Sequence, residues 1–407
     1  MKKKLLSTRP KLGLSFSGLL PLFILAHFGH HLLNALPIPL LPFIREEFAL
    51  DYTQAGLILS AFNITYGISQ LPAGWLADRI GARLIIAIGI CGVAFCGLLL
   101  GLSTTYFMMI IFIIIMGILG GGYHPTSPSL IFTFVKPKNR GRALGLHMIG
   151  GSASYFLAPL IAATIAASWG WRASFITLAI PTILFGIAFY FILGKRLGTG
   201  ADALRNSHPS QILPRLNWRH LAPFILLITS TVAIILSVIP YIPLYIVDHF
   251  KMEKETAAVI IAVVYSAGLW AGPLGGYLSD HVGRRPVILT ACFMSGLAIY
   301  LLNLIPFGLG FGLLLLFIGM IVYTIEPAAQ AYIISQTSER YRSSILGIYF
   351  SAGLIGSGII IPLIGYLITN FGFFTSFTII SAALLVIALS YSLWLWGSRG
   401  YQSPAEI

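Results

Sequence analysis

A ten-residue stretch, GWLADRIGAR, occupies Gly74–Arg83, and a second copy, GYLSDHVGRR, occupies Gly276–Arg285. Both copies read glycine, aromatic, leucine, small residue, aspartate, two variable residues, glycine, any residue and arginine, and they lie 202 residues apart. A long apolar run precedes each copy, and another follows it. A charged turn that recurs between apolar runs at half the chain length indicates an internally duplicated membrane protein.

The offset of 202 residues holds well beyond these two turns. The corresponding positions are His124-Pro125 and Glu326-Pro327, Gly145 and Gly347, and Gly170 and Gly372. A single long polar stretch with glycine and proline, residues 195–219, separates the two halves and is typical of a linker. We therefore predict an N-terminal six-helix bundle over residues 1–197, a cytoplasmic linker over 198–218 and a C-terminal six-helix bundle over 219–407.

The composition places the chain in a membrane. Of its 407 residues, 57% are hydrophobic and only 9% are charged, whereas soluble domains carry about 25% charged residues. A spanning helix needs about 20 apolar residues, and twelve runs meet this length. The runs lie near 17–40, 54–76, 84–103, 106–132, 143–167, 173–194, 221–247, 257–279, 287–305, 308–334, 345–369 and 374–396. We predict an all-α integral membrane protein with twelve transmembrane helices.

The net charge of +13 comes from lysines and arginines whose distribution along the chain indicates its orientation in the membrane. Of the 25 lysines and arginines, 21 fall on the side of the two repeated turns and the termini. The other side carries Arg45, Arg172, Lys251 and Lys254. Because lysine and arginine collect in cytoplasmic loops, this split predicts a multi-pass protein of the cytoplasmic (inner) membrane with both termini cytoplasmic. We expect a monomer in the lipid bilayer, with no nucleic-acid partner and no cofactor.

The repeated turns resemble the signature loop of the major facilitator superfamily, which joins the second and third helices of its members. The resemblance covers essentially the whole chain. It implies two pseudo-symmetric six-helix bundles that face each other across a central cavity, and a secondary transporter that works by alternating access.

Three further stretches are similar to the fosmidomycin-resistance branch of efflux transporters in that superfamily. They are residues 26–42, which begin Ala-His-Phe, residues 120–125, which read GGGYHP, and residues 141–159, which begin Gly-Arg-Ala-Leu-Gly. This resemblance implies the export of small organic molecules, antibiotics among them.

Charged residues at and near the repeated turns are candidates for a gate. The candidates are Asp78, Arg79, Asp280 and Arg284 in the turns, with Arg142 and Arg342 as partners. A carboxylate at such a turn can meet the N-terminus of a neighbouring helix or a loop arginine. The family resemblance implies that these contacts latch the cytoplasmic side in one state of the transport cycle. The alternative is that they are ordinary loop charges that fix the topology.

Only one acidic residue, Glu326, lies deep in an apolar run. It belongs to a stripe on one face of its helix, formed by Gly319, Tyr323, Glu326 and Gln330. Ionisable residues inside a membrane are costly and usually functional. We predict that Glu326 is the main proton carrier, assisted by His124 and His31. The alternative is a structural glutamate that is hydrogen-bonded near a kink at Pro327.

The first apolar run carries a polar stripe with helical spacing, formed by His27, His30, His31 and Asn34. Histidines in this setting can exchange protons, bind a substrate or coordinate a metal. The alternative is polar packing between helices. We predict that the stripe lines the cavity, and we assign no metal site, although His27 and His31 could share an ion.

Aromatic and amide side chains in other runs complete the predicted substrate site. They are Asn63, Tyr66, His124, Tyr155, Tyr241, Tyr265, Tyr323, Gln330 and Tyr349. Such a lining with few charges suits an amphiphilic organic molecule. The alternative for any one tyrosine is packing in the helix core.

The function predicted from these features is secondary active transport of a small organic molecule, either drug-like or a metabolite, by proton-coupled efflux. Two alternatives remain open: proton-coupled or facilitative uptake of a metabolite, and divalent-metal export through the histidines of the first run. The sequence has no G-x-S-x-G elbow, H-E-x-x-H helix or P-loop, so we expect neither an enzyme nor an ATP-driven pump.

Overall fold

The computed structural model of the chain describes residues 19–135, 139–197, 218–337 and 339–398. The predicted linker over 198–218 lies outside these residues, except for Trp218 at its end. The N-terminal half contains α1 (Leu20–Asn34), α2 (Pro37–Glu47), α3 (Tyr52–Ile80), α4 (Ala82–Gly101), α5 (Tyr106–Gly120), α6 (Tyr123–Phe134), α7 (Arg140–Trp169) and α8 (Trp171–Leu197).

The C-terminal half repeats this order. It contains α9 (Trp218–Val238), α10 (Tyr241–Asp248), α11 (Lys254–Ser266), α12 (Ala271–Val282), α13 (Arg284–Leu301), α14 (Leu309–Gln336) and α15 (Glu339–Ser398). A 3-10 turn, Ala267–Leu269, joins α11 to α12. Gly372, at φ 74° and ψ 173°, breaks α15 into two helices, because this backbone conformation suits glycine and ends a helix.

All twelve apolar runs of the sequence are helical, which confirms the all-α prediction. Within the described ranges, eight helices are long and apolar enough to cross a membrane. A ninth results if α11 and α12, which are bent by 42°, form one span. The first run is divided between α1 and α2, each of which is shorter than the bilayer is thick.

Several runs are interrupted inside the apolar segment. Proline has no N–H to donate, and it stands at the first position of α2 (Pro37) and just before α10 (Pro240). Between α5 and α6 the chain passes through Gly121 and Gly122. Interrupted helices carry the substrate sites of many transporters, so these breaks indicate where the site should be sought.

Helices α1–α8 pack as one bundle, and α9–α15 pack as a second. The two most extensive seams between the bundles are α3 against α15 and α7 against α11, and α2 also packs against α10 and α11. We call the end of the molecule that carries the two repeated turns the signature end, and the opposite end the far end.

The bundles are closed together at the far end and apart at the signature end. In the first seam, a Cβ on Gly67 would lie 3.1 Å from Leu354, and one on Gly358 would lie 3.2 Å from the backbone nitrogen of Ile64. Toward the signature end, a Cβ on Gly74 or Gly347 would have no described atom within 4 Å. In this seam the bundles are therefore in contact toward the far end and separate toward the signature end.

Candidate functional site

Five histidines from three helices converge inside the N-terminal bundle. We call them the histidine cluster: His27, His30 and His31 on α1, His124 in the first turn of α6 and His147 on α7. Centroids of neighbouring rings lie 4.3 to 5.7 Å apart. Four of the five side chains are buried, and His124 is partly exposed. The sequence predicted the stripe on α1, and the fold adds two histidines from elsewhere in the chain.

Backbone carbonyls fix the tautomer of three rings in the cluster. His27 donates from Nδ1 to the carbonyl of His147 at 2.9 Å, and His147 donates from Nδ1 to that of Phe23 at 3.1 Å. His30 donates from Nδ1 to the carbonyl of Gly89 at 3.1 Å. Because a carbonyl oxygen only accepts, each ring holds a proton on Nδ1 and, when neutral, presents a bare Nε2 atom.

The Nε2 atoms of these rings differ in their partners. That of His30 accepts from the Tyr66 hydroxyl at 2.9 Å, and that of His147 accepts from Ser127 at 3.4 Å. Nε2 of His27 is buried and has no hydrogen-bond partner among the described residues. An unpaired buried nitrogen is costly, so its position calls for a ligand or a functional explanation.

His31 and His124 form the part of the cluster nearest the other bundle. Their Nε2 atoms lie 3.1 Å apart, so one of them holds a proton that the other accepts. Nδ1 of His31 lies 3.3 Å from the side-chain oxygen of Asn34. These contacts show that α1 and α6 meet through polar atoms, which is where the predicted stripe and the GGGYHP stretch come together.

Two adjacent glycines let α7 approach the cluster. A Cβ on Gly150 would collide with the backbone carbonyl of Ile24 on α1, and a Cβ on Gly151 would lie 2.7 Å from the His27 ring. Small residues allow helices in membranes to pack closely. The glycines therefore bring the His147 carbonyl within reach of His27.

We expect Gly150→Ala to destabilise the protein by about 2 kcal/mol, because its methyl group meets a backbone carbonyl that cannot rotate away. Gly145→Ala is the matched control, since it lies on the same helix and its Cβ would have no described atom within 4 Å. Alanine is the better helix former, so the control should keep or raise the stability. Thermal unfolding in detergent measures both, and equal melting temperatures would contradict the packing argument.

Tyr155 connects the histidine cluster to the C-terminal bundle. This residue of α7 has its ring centroid 4.9 Å from that of His31 and 5.4 Å from that of Tyr265 on α11. It also lies within electrostatic range of Glu326 on α14. Tyr155 therefore links the histidine cluster to Tyr265 of the C-terminal bundle.

Glu326 is partly buried, and the groups near its carboxylate are an amide and tyrosines. It accepts a hydrogen bond from Gln330 at 3.3 Å, as the predicted stripe on α14 implies. Tyr323 and Tyr349 also lie within electrostatic range of its carboxylate. No ion pair to Glu326 is found among the described residues. The carboxylate thus faces the central region without a fixed counter-charge.

Two of the predicted substrate-site residues instead join the bundles in the far-end seam. Asn63 donates to the hydroxyl of Ser357 at 3.1 Å, and Tyr241 donates to the backbone carbonyl of Tyr52 at 3.3 Å. Both bonds lie along the α3–α15 contact or at its edge. Contact of these two residues with a substrate stays a prediction.

The far end carries a polar latch that the sequence analysis did not identify. Arg45 of α2 pairs with Asp248 of α10 at 2.5 Å, and the Tyr52 hydroxyl donates to the same carboxylate at 2.6 Å. Lys254 at the start of α11 pairs with Glu46. All three contacts cross between the bundles, so we call these five residues the far-end latch.

The internal repeat contains a signal that could have revealed the latch. The offset of 202 residues places Glu46 on Asp248 and Tyr52 on Lys254. Each half therefore supplies one carboxylate and one group that donates to the carboxylate of the other half. The two contacts are related by the pseudo-symmetry of the fold.

Glu47, beside the latch, ties α2 to α8 inside the N-terminal bundle. Its carboxylate accepts from Arg172 and from the indole of Trp171. Partial burial opposes ionisation, but these hydrogen bonds outweigh it and lower the pKa of Glu47. The Glu47 carboxylate therefore stays ionised at pH values where an ordinary glutamate is already protonated. Its contact with Arg172 is lost only when the pH falls through the lowered pKa.

Of the six predicted gating residues at the signature end, the structure describes the side chains of four, and three of these are exposed. Arg79 stacks on the ring of Trp75 at 3.9 Å within α3, and Arg284 donates to the carbonyl of Ala331 within the C-terminal bundle. Asp280 and Arg142 are exposed on α12 and α7. The side chains of Asp78 and Arg342 lie outside the described part of the structure. Gating by these six residues stays a prediction, in a structure whose signature end is open.

The sequence profile of the Major Facilitator Superfamily matches residues 23–324 and, in an overlapping second match, residues 224–406. The chain is 25% identical over 394 residues to the probable sulfoacetate transporter SauU of Cupriavidus necator, with 90% of each chain covered. It is 29% identical over 388 residues to the multidrug resistance protein MdtG of Proteus mirabilis, covering 90% of this chain and 94% of that one.

Solved structures share the fold at lower identity. A bacterial homologue of the human lysosomal transporter Spinster, in an inward-facing and unoccupied conformation, superposes with a TM-score of 0.76, 17% identity and coverage of 95% and 98%. A POT family transporter in complex with a thioalcohol-conjugated peptide gives a TM-score of 0.80, 14% identity and coverage of 94% and 96%. The chain belongs to the Major Facilitator Superfamily of secondary transporters.

Proposed function

We propose that this chain exports a small organic molecule across the cytoplasmic membrane in exchange for protons. The observation that carries the proposal is the position of Glu326, the only carboxylate deep in an apolar run, within electrostatic range of Tyr155 from the opposite bundle. Rocking of the bundles changes the distance between these two residues. The free energy of protonating the carboxylate then differs between the two states, which is the condition for coupling.

The lining of the site supports an amphiphilic organic substrate. Tyr155, Tyr323 and Tyr349 lie within electrostatic range of the carboxylate, and the sequence has no lysine or arginine deep in any apolar run. Such a site binds by apolar contact and a few hydrogen bonds. The multidrug resistance name of MdtG and the resemblance to the fosmidomycin-resistance branch both favour export.

The direction of opening is consistent with loading from inside the cell. The charge distribution places the signature end and both termini in the cytoplasm. The closed far-end latch and the open signature end then correspond to an inward-facing state of the two bundles, 1–197 and 219–407. The His31 ring contacts the rings of Tyr155 and His124, and the part of the two histidines in moving protons stays a prediction.

The test is Glu326→Gln in inverted membrane vesicles that hold a pH gradient. A panel of amphiphilic drugs is added, and the collapse of the gradient is followed by a pH-sensitive dye. We take the compounds that discharge the gradient through the unaltered protein. We expect these compounds to discharge it about tenfold more slowly in vesicles that contain the variant. Glutamine imitates the neutral carboxyl, so exchange of labelled compound without a gradient should continue.

Glu253→Gln is the matched control, because Glu253 is exposed at the start of α11 and caps that helix with no side-chain hydrogen bond. Its vesicles should behave like those of the unaltered protein. Undiminished gradient discharge with Glu326→Gln would refute the assignment of the proton carrier. Loss of exchange as well as discharge would show that Glu326 binds the substrate and does not serve coupling alone.

A further inference from the structure

Three imidazoles of the histidine cluster present nitrogen atoms to one small volume. One ring nitrogen each from His27, His31 and His124 can be chosen so that all three lie within 4.8 Å of one another. The His31 and His124 Nε2 atoms are 3.1 Å apart. Nitrogens that bind one tetrahedral metal ion at about 2.0–2.1 Å stand about 3.3 Å apart. The pair therefore already has the spacing of two ligands of one ion.

The third ring, that of His27, is also oriented as a metal ligand would be. His27 donates from Nδ1 to a backbone carbonyl, which leaves Nε2 unprotonated and holds the ring orientation. That Nε2 atom is buried and unpartnered among the described residues. A carbonyl behind a ligand histidine is the usual outer partner in metal sites. An ion at this point would satisfy the one buried cluster nitrogen that the described residues leave without a hydrogen-bond partner.

We propose that His27, His31 and His124 bind a divalent transition-metal ion and leave one coordination position open to the cavity. Imidazole ligands suit zinc, copper, nickel and cobalt. The proton shared by His31 and His124 moves to Nδ1 of its own ring, and the ion takes its place between the two Nε2 atoms. The site does not use Glu326, although two of its ligands, His31 and His124, are also predicted to assist proton transfer.

The charge of the site indicates what fills the open position. The group of possible ligands contains no carboxylate or thiolate among the described residues, so three neutral rings would hold a doubly charged ion. Burying that charge without an anion is costly. His124 is partly exposed and lies beside the cavity between the bundles, so an anionic donor can enter from there. The preferred ligand is therefore an ion that carries an anionic organic chelator.

The test uses purified full-length protein without a histidine tag. Cobalt chloride is titrated in, and the visible absorption of tetrahedrally bound Co²⁺ is recorded. We expect a saturable absorption band that zinc chloride removes by competition. His27→Ala, His31→Ala and His124→Ala should each raise the Kd for Co²⁺ at least tenfold. His281→Ala is the control, because His281 is exposed on α12 outside the cluster.

A second titration tests whether the site prefers a free metal ion or an ion that carries an anionic chelator. Cobalt mixed with one equivalent of citrate should bind more tightly than cobalt chloride if the anionic chelator completes the site. Weaker binding with citrate would overturn that assignment of the open position. Absence of the band, or a band of equal strength in the three variants, would overturn the metal site itself. Thermal unfolding of the metal-free variants checks that they are folded. His31→Gln is a second variant at that position, and it removes less side-chain volume than His31→Ala does.

Discussion

Gly358→Trp should lower transport by about 100-fold and leave the protein folded. A Cβ at this position would lie 2.5 Å from the side chain of Ile64 and 3.2 Å from the backbone oxygen of Ser60 on α3. The Ser60 hydroxyl also donates to the carbonyl of Gly358. A large side chain would wedge the seam at the far end, and overpacking by about 3 kcal/mol corresponds to a ~100-fold loss of the closed state.

Gly353→Trp is the matched control for this prediction. It lies on the same helix, and its Cβ would have no described atom within 4 Å. Transport in vesicles should persist in the control and fail in Gly358→Trp. A cysteine at Leu244, which is 1% exposed beside the latch, should react with a maleimide much faster in the Gly358 variant. Unchanged labelling together with lost transport would show that the seam does not control access.

The sequence predicted the helices because the signal for them is local. An apolar run of about 20 residues and a charged turn are both read within one segment, and the repeat at Gly276–Arg285 fixed the relation of the halves. The interruptions were harder to place. Pro37 and Pro240 break single runs into two helices without lowering their overall hydrophobicity.

The candidate site was predicted in part. Helical spacing correctly placed His27, His30 and His31 on one side of α1, but spacing does not reveal which neighbour that side meets. The structure packs His30 against α3 and α4, while His31 reaches α6 and the ring of Tyr155. These contacts depend on Gly150 and Gly151 of α7, whose close approach to α1 is a property of three-dimensional packing.

The latch was missed for a physical reason. Charges in the loops opposite the signature turns were counted only for topology, and their pairing joins residues about 200 positions apart. Sequence distance conceals such a contact, whereas the internal register exposes it. Glu46 and Asp248 occupy the same place in the two halves, and a carboxylate kept at both copies of an interface position predicts a symmetric contact.

The symmetry of the latch does not extend to its energetics, and this gives the second large prediction. Asp248 is 29% exposed and accepts from both Arg45 and Tyr52. Glu46 is 67% exposed and pairs with Lys254 alone. Hydrogen bonds to a partly buried charge contribute more than an exposed ion pair, which is worth up to about 1 kcal/mol.

Asp248→Ala should therefore weaken the closed far end by about 2 kcal/mol, a ~30-fold shift toward the open state, because two donors lose their acceptor. Glu46→Ala, at the equivalent place in the other half, should shift it no more than about fivefold. Maleimide labelling of a cysteine at Leu244 measures both variants, and added salt should reduce the effect of Glu46→Ala more than that of Asp248→Ala. Equal effects would mean that Glu46 and Asp248 stabilise the closed far end by the same free energy. The second hydrogen bond at Asp248 would then add nothing to closure.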